Sequence, residues 1–224
     1  MSSVKSTLYL SIFIQVITIL IGFYAYITDI NTNHYILDDI MLIENIVQIV
    51  EFIFYISVTF IFTKIPLNSL AKYRYYDWAI TTPIMLITTL LFFVYEKRKH
   101  NIDDISPKEN IFTIIQQEWK NISKLVLSNG AMLLCGYLYE LGKVPLVESN
   151  LIGFGFLIYS FYILYQYVSN NITTQLFWVM FTIWSLYGVA PYFNNTIKNT
   201  SFNILDIISK NFYGVFLAWI IMYN

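Results

Sequence analysis

Long apolar runs broken by short polar stretches dominate the chain. The length of each run, more than any periodicity within it, decides the reading. A bilayer core of about 30 Å needs about 20 apolar residues of helix. Runs of that order lie at residues 8–28, 40–62, 73–95, 125–141, 150–168, 174–193 and 202–223. The stretch from Ser149 to Ile197 holds no Asp, Glu, Lys or Arg and is too long for one crossing, so its polar segment Ser169 to Gln175 is read as the break. Before the fourth run, residues 111–119 read as an amphipathic turn or two outside the lipid. The runs are continuous rather than alternating, which selects helices over a barrel, because lipid tolerates no unpaired backbone. The pattern predicts an all-α membrane protein, a seven-transmembrane-helix bundle forming a single domain over residues 1–224. Seven spans would take up roughly two thirds of the chain, so function is expected inside the bundle.

Composition strengthens that reading. Hydrophobic residues make up 57% of the chain and charged residues 12%, against about a quarter charged in soluble domains. With 14 acidic and 13 basic residues there is no basic stripe for nucleic acid. Cys135 is the single cysteine and forms no internal disulfide. The first span is longer than a signal-peptide core and is followed by no small-residue cleavage site. Lys97, Arg98 and Lys99 mark the end of span three as cytoplasmic and put the N-terminus outside. Lys64, Lys72, Lys143 and Lys198 on the other side oppose that vote.

In so apolar a chain the charges at membrane depth stand out, and each is a functional candidate by default. Glu44, Glu51, Arg74, Asp77, Asp206 and Lys210 qualify. Asp206 and Lys210 are four apart and share a helix face. Arg74, Asp77, Thr81, Met85 and Thr88 step by three and four along span three. If spans three and seven touch, two cations offset two carboxylates, the arrangement that limits desolvation cost. Such a cluster could simply lock two helices together. Lysine is a poor choice for that role, because its ammonium is strongly hydrated and its pKa moves readily, properties that suit a Schiff base. A lysine in mid-membrane, flanked by Trp, Tyr, Met and Gly, reads as an aldehyde-binding site.

The motifs themselves are recognisable. The run from Arg74 to Pro83, RYYDWAITTP, resembles the third-helix signature of the microbial rhodopsins. Leu205 to Lys210, LDIISK, resembles their retinal-lysine motif; Asn129 to Gly136 resembles the fourth-helix retinal wall and Trp184 to Tyr187 the sixth-helix lid. The resemblance covers all seven spans in order and implies all-trans retinal bound covalently to Lys210 in the bundle core as a protonated Schiff base. It further implies Asp77 as primary counterion and proton acceptor, Asp206 as second counterion, Thr81 bonded to the Asp77 carboxylate, and Arg74 on the extracellular side of both. Trp78, Thr82, Met132, Gly136, Trp184 and Tyr187 would line the chromophore. Two positions depart from the pattern. Gly188 stands where the family has a proline, so a kink would come from glycine flexibility or from Pro191. Gly153 stands where the fifth helix usually stacks a tryptophan on the polyene.

The resemblance also separates pump from channel. Outward pumps carry a proton-donor carboxylate eleven residues after the counterion, about 16 Å along the helix. Here that position is Thr88, whose hydroxyl cannot serve. On span two, Glu44, Gln48, Glu51 and Tyr55 fall at i, i+4, i+7 and i+11, a polar stripe on an apolar helix. Ser11, Gln15 and Thr18 draw another on span one, and Asn203, Asp206 and Lys210 a third on span seven. A carboxylate-lined route between these helices would select cations. The paired glutamates are also similar to the second helix of channelrhodopsins, and the whole resembles the channelrhodopsin-like rhodopsins of giant algal viruses. The expected function is therefore a light-gated cation channel, not an enzyme. An outward proton pump is the alternative and a photosensor the third; in a closed bundle Glu44 and Glu51 would instead be protonated and hydrogen-bonded. The expected partners are the lipid bilayer, transported cations or protons, and other copies of the chain. His34 and His100 lack metal-ligand company, and no metal site is expected. The Asn-x-Ser/Thr sites at Asn121, Asn171, Asn194 and Asn199 are weak matches, of which Asn194 and Asn199 would lie outside. Cys135 reads as packing.

Overall fold

The computed structural model describes residues 2–28, 35–99 and 110–223. His34 and His100 lie outside the described residues. What is described is helical, with no strand: α1 (Ser2–Thr28), α2 (Tyr35–Ile61), α3 (Leu67–Lys99), α4 (Ile111–Gln117), α5 (Trp119–Glu140), α6 (Leu146–Tyr165), α7 (Asn171–Val189), α8 (Asn195–Asp206) and α9 (Phe212–Tyr223). A π-helical turn, Ile207–Asn211, joins α8 to α9, and the three form one continuous rod. The rod, α1, α2, α3, α5, α6 and α7 make a seven-helix bundle, with α4 a short separate helix before α5. Local chemistry sets the starts. Asn110 caps α4 through Phe112 N, Asn170 and Thr173 form a reciprocal capping box on α7, and the Asn194 side chain accepts from Thr196 N and Ile197 N at the start of α8.

Among the described residues six helical rods are long and apolar enough to cross a membrane. The expected fourth span, α5, is not one of them: it is long but diluted by Lys120, Asn121, Lys124, Ser128 and Asn129, and it starts at Trp119, where the amphipathic turns expected ahead of residue 125 end. Packing compensates for composition. Asn129 Nδ2 donates to Thr82 Oγ1 at 2.8 Å, and Ser128 Oγ donates to the Phe156 carbonyl at 2.8 Å. From α6, Ser149 Oγ donates to the Cys135 carbonyl at 2.8 Å. Sharing polar groups between helices lets a weakly apolar helix sit in the bundle. Outward positions are apolar: Phe60 is 75% exposed, Leu127 73% and Leu151 71%. In water such a surface would aggregate, and in lipid it is solvated.

The α7 helix stops at Val189 and tightens into a 3-10 turn, Ala190–Tyr192, that contains Pro191. The proline thus ends the helix, while the Gly188 carbonyl accepts from Asn150 Nδ2 at 2.7 Å. The weakness of the Asn199 glycan match has a structural reason: its side chain is fully buried and donates to the carbonyls of Leu67 and Asn195, so it is no acceptor for glycan.

Candidate functional site

The π turn carries Lys210 into the middle of the bundle, where it is 1% exposed. Its Nζ donates to Asp77 Oδ2 through a short contact and lies 3.9 Å from Asp206 Oδ1 and 3.8 Å from Glu51 Oε1. The expected group of four charges is therefore a group of five. Against two cations, Arg74 and Lys210, stand three carboxylates, so electroneutrality requires one proton on the acidic side.

The carboxylates differ in how they are held. Asp206 accepts from Tyr55 Oη at 2.7 Å, Tyr187 Oη at 2.8 Å, Trp78 Nε1 at 3.1 Å and Arg74 Nη1 at 3.3 Å. Four donors from α2, α3 and α7 leave it saturated. Asp77 meets Lys210 through Oδ2, and its Oδ1 has no partner among the described residues. Glu51 accepts from Asn211 Nδ2 at 2.9 Å through Oε2, while Oε1 has no hydrogen bond among the described residues. Thr81 departs from expectation: its hydroxyl donates to the Asp77 backbone carbonyl at 3.0 Å, not to the carboxylate. A threonine in mid-helix commonly turns back on the preceding turn, and the resemblance gave no means of seeing that it does so here. Arg74 lies toward the end of the bundle that holds the start of α1. Its Nη2 donates to Asn203 Oδ1 and to the Asn199 carbonyl.

On the other side of Lys210 is an open-sided cavity between α3, α5, α6, α7 and the π turn, about 850 Å³ when the space at its open side is counted. Trp78, Thr82, Met132, Gly136, Trp184, Tyr187 and Lys210, named one by one from the sequence, all line it. Gly136 makes room for the wall, since a Cβ there would lie 2.3 Å from Tyr75 Oη. Gly153 also lines the pocket, and a Cβ there would meet Cys135 Cβ at 3.7 Å and the Met132 carbonyl at 3.8 Å, ordinary contact distances. The lining is mostly apolar and aromatic, with one amine at its end, and suits a long flat apolar aldehyde.

The stripe on α2 points inward throughout. Glu44, Gln48, Glu51 and Tyr55 are each fully buried, as are Ser11 and Gln15 of α1 and Asn203 of α8. Asn203 Nδ2 donates to Thr7 Oγ1 at 2.7 Å and to the Val4 carbonyl at 3.2 Å, and Ser11 Oγ reaches the Asn203 carbonyl at 3.4 Å. Glu44 leaves the others: it accepts from Thr88 Oγ1 on α3. Gln48 Nε2 donates to the Lys210 carbonyl at 2.9 Å. Sequence reasoning passed over Asn45 and Asn211. Asn211, next to the lysine, was the more readily found of the two, because a polar residue buried in an apolar span is itself a signal.

The family model for bacteriorhodopsin-like proteins matches residues 6–223. The chain belongs to that family. It is a microbial rhodopsin, similar to viral rhodopsin OLPVRII at 25% identity, with 99% of each chain covered and a TM-score of 0.84. Blue light-absorbing proteorhodopsin from Med12 has the same fold at 18% identity (98% of this chain, 96% of that one, TM-score 0.73). Halorhodopsin from Halobacterium salinarum has it at 13% (99% and 95%, TM-score 0.71). No curated protein is similar to the chain in sequence. Membership of this rhodopsin family implies a retinal chromophore carried on a lysine, and the pocket ending on Lys210 fits that group.

Proposed function

We propose that this rhodopsin is a light-gated cation channel, with all-trans retinal on Lys210 Nζ and the ion route along α1, α2 and the α8–α9 rod. One observation carries the reading. Gln15 Oε1, Glu44 Oε2, Gln48 Oε1 and Glu51 Oε1 are buried oxygens with no hydrogen-bond partner among the described residues, all on the inward faces of α1 and α2. Buried polar atoms are almost always satisfied. A row of oxygens that the protein leaves unsatisfied is suited to water and cations, and two carboxylates in the row give it the sign that selects cations.

When bound, retinal supplies light absorption and a light-driven change of shape. The residues around it do the rest. Trp78, Met132, Trp184 and Tyr187 clasp the chain, and Gly136 gives it room. Asp77 Oδ2, which already accepts from Lys210 Nζ, is where the proton held there can land. Asp206, held by four donors, keeps Arg74 in place. Loss of charge at Lys210 changes the electrostatic field at Glu51 Oε1, 3.8 Å away, which couples the light step to the α2 stripe. The N-terminus faces outward in this reading, placing Arg74 on the extracellular side.

A second reading has its own support. Thr88 occupies the donor position of the outward pumps, and Glu44 supplies a carboxylate to it from α2. An outward proton pump would use Glu44 to return a proton toward Lys210. A voltage-clamp record under illumination separates the two: channel current reverses with driving force, and pump current stays outward at every voltage.

A further inference from the structure

The outer face of α5 changes character along its length. Lys120, Lys124, Leu127, Gly130 and Leu134 step by three and four, so they share one face of the helix, and all five are exposed. Leu127 and Leu134 face lipid, like the rest of the bundle's outside. The two lysines stand at the end of the stripe nearest α4, and among the described residues neither has an ion pair or hydrogen bond. Glu118, the acid next to them in the chain, is engaged elsewhere. It accepts from Asn121 Nδ2 at 3.2 Å and, through a short contact, from Tyr167 Oη beyond the end of α6.

Aromatic side chains mark the level of the lipid headgroups. Trp119 is the first residue of α5, Tyr165 the last of α6, and Phe112 lies on α4; all three are exposed at the same end of the bundle. Exposed rings at the ends of spans sit at the membrane interface. Lys124 is five residues inside Trp119, about 7.5 Å along the axis. Its Cα to Cβ bond tilts back toward the helix start, and a lysine stem covers apolar surface while its ammonium returns to water. Both ammoniums therefore gather at one level, beside Trp119.

We infer that Lys120 and Lys124 bind the phosphate of one anionic glycerophospholipid, beside Trp119, with its acyl chains along Leu127, Gly130 and Leu134. Clustered lysines at a span end attract anionic lipid. Continuity with the lipid-facing leucines selects a lipid over a free anion, since cations and hydrocarbon surface follow one another on a single helix face. Nothing lies within 4 Å of the place a Cβ on Gly130 would take, which leaves room between the leucines for a chain. Seating the lysines on a lipid phosphate also offsets the charge that makes α5 a weakly apolar span.

The test is native mass spectrometry of the full chain with retinal, released from micelles that hold equal amounts of phosphatidylglycerol and phosphatidylcholine with the same acyl chains. The wild type should retain phosphatidylglycerol over phosphatidylcholine several-fold. Lys120→Gln combined with Lys124→Gln should bring the ratio close to one, and either change alone should fall between. Lys143→Gln, at an exposed lysine beyond the other end of α5, should keep the wild-type ratio. None of these residues lines the chromophore cavity, so a wild-type visible band reports that each variant has folded. A wild type without preference, a double variant that keeps the preference, or an equal loss in Lys143→Gln would overturn the site. Glycerol phosphate, which has no acyl chains, should not displace the lipid at equal concentration; displacement would overturn the lipid in favour of a free phosphate. If the double variant forms no pigment, the single variants decide.

Discussion

The two sides of Lys210 are built from different materials. On the side of α3, α5, α6 and α7 the lining is aromatic and apolar around a ligand-sized space, with Trp78 and Tyr187 ring centroids 5.3 Å apart edge to face and Phe161 meeting Trp184 at 5.8 Å. On the side of α1, α2, α8 and α9 the inward positions are Ser, Gln, Asn and Glu, tightly buried and incompletely bonded. The first side meets the demands of a rigid hydrocarbon, namely shape and dryness. The second presents oxygens in excess of the donors available to them, which suits something hydrated and mobile. Lys210 borders both, which gives a light event on one side a short path to the other.

If the division is right, substitutions should sort by side. The largest effect belongs to Lys210→Ala, which removes the amine that borders both sides. The purified variant mixed with retinal should show no visible band, and a retained band would break the assignment of the aromatic side. Next is Asp77→Asn. Removing the carboxylate bonded to Nζ should shift the absorption maximum to the red by tens of nanometres, a rough expectation from losing a counterion in contact; an unchanged spectrum across an acid titration would deny Asp77 that role. Glu51→Gln sharpens the comparison, because Glu51 Oε1 on the polar stripe lies 3.8 Å from Nζ. It should alter ion selectivity together with a smaller colour shift, and identical currents would take it out of the route. Lys198→Met serves as a control at the end of the bundle. Lys198 Nζ lies 3.0 Å from both Glu140 oxygens in a buried pair. Stranding Glu140 should cost stability on the order of 3 kcal/mol in thermal unfolding with colour and selectivity unchanged. A changed permeability ratio would mean that the two sides are not separable.

The fold and the retinal side were largely legible in the sequence. Spans announce themselves by length, and motifs such as RYYDWAITTP fix register, so Asp77, Trp78 and Lys210 could be placed before any coordinates. What escaped were bonds between helices. Nothing local says that Tyr55, Trp78 and Tyr187 converge on Asp206, or that Thr81 turns to a backbone carbonyl. The turns expected at residues 111–119 correspond to α4 and the start of α5, but nothing local showed that Asn129 and Ser128 of α5 would bond to Thr82 and Phe156. Asn45 was missed because it sits one position beyond the Glu44 stripe, and its facing partner, Gly22, carries no side chain to signal a polar face.

The measurement that tests the central claim most directly is the reversal potential of the photocurrent when external sodium is replaced by a large organic cation at constant pH. A channel with this polar route predicts a current that reverses, with a reversal potential that moves to more negative voltage on replacement. A current that stays outward at every voltage and ignores the replacement would contradict it and leave Glu44 and Thr88 as parts of a pump.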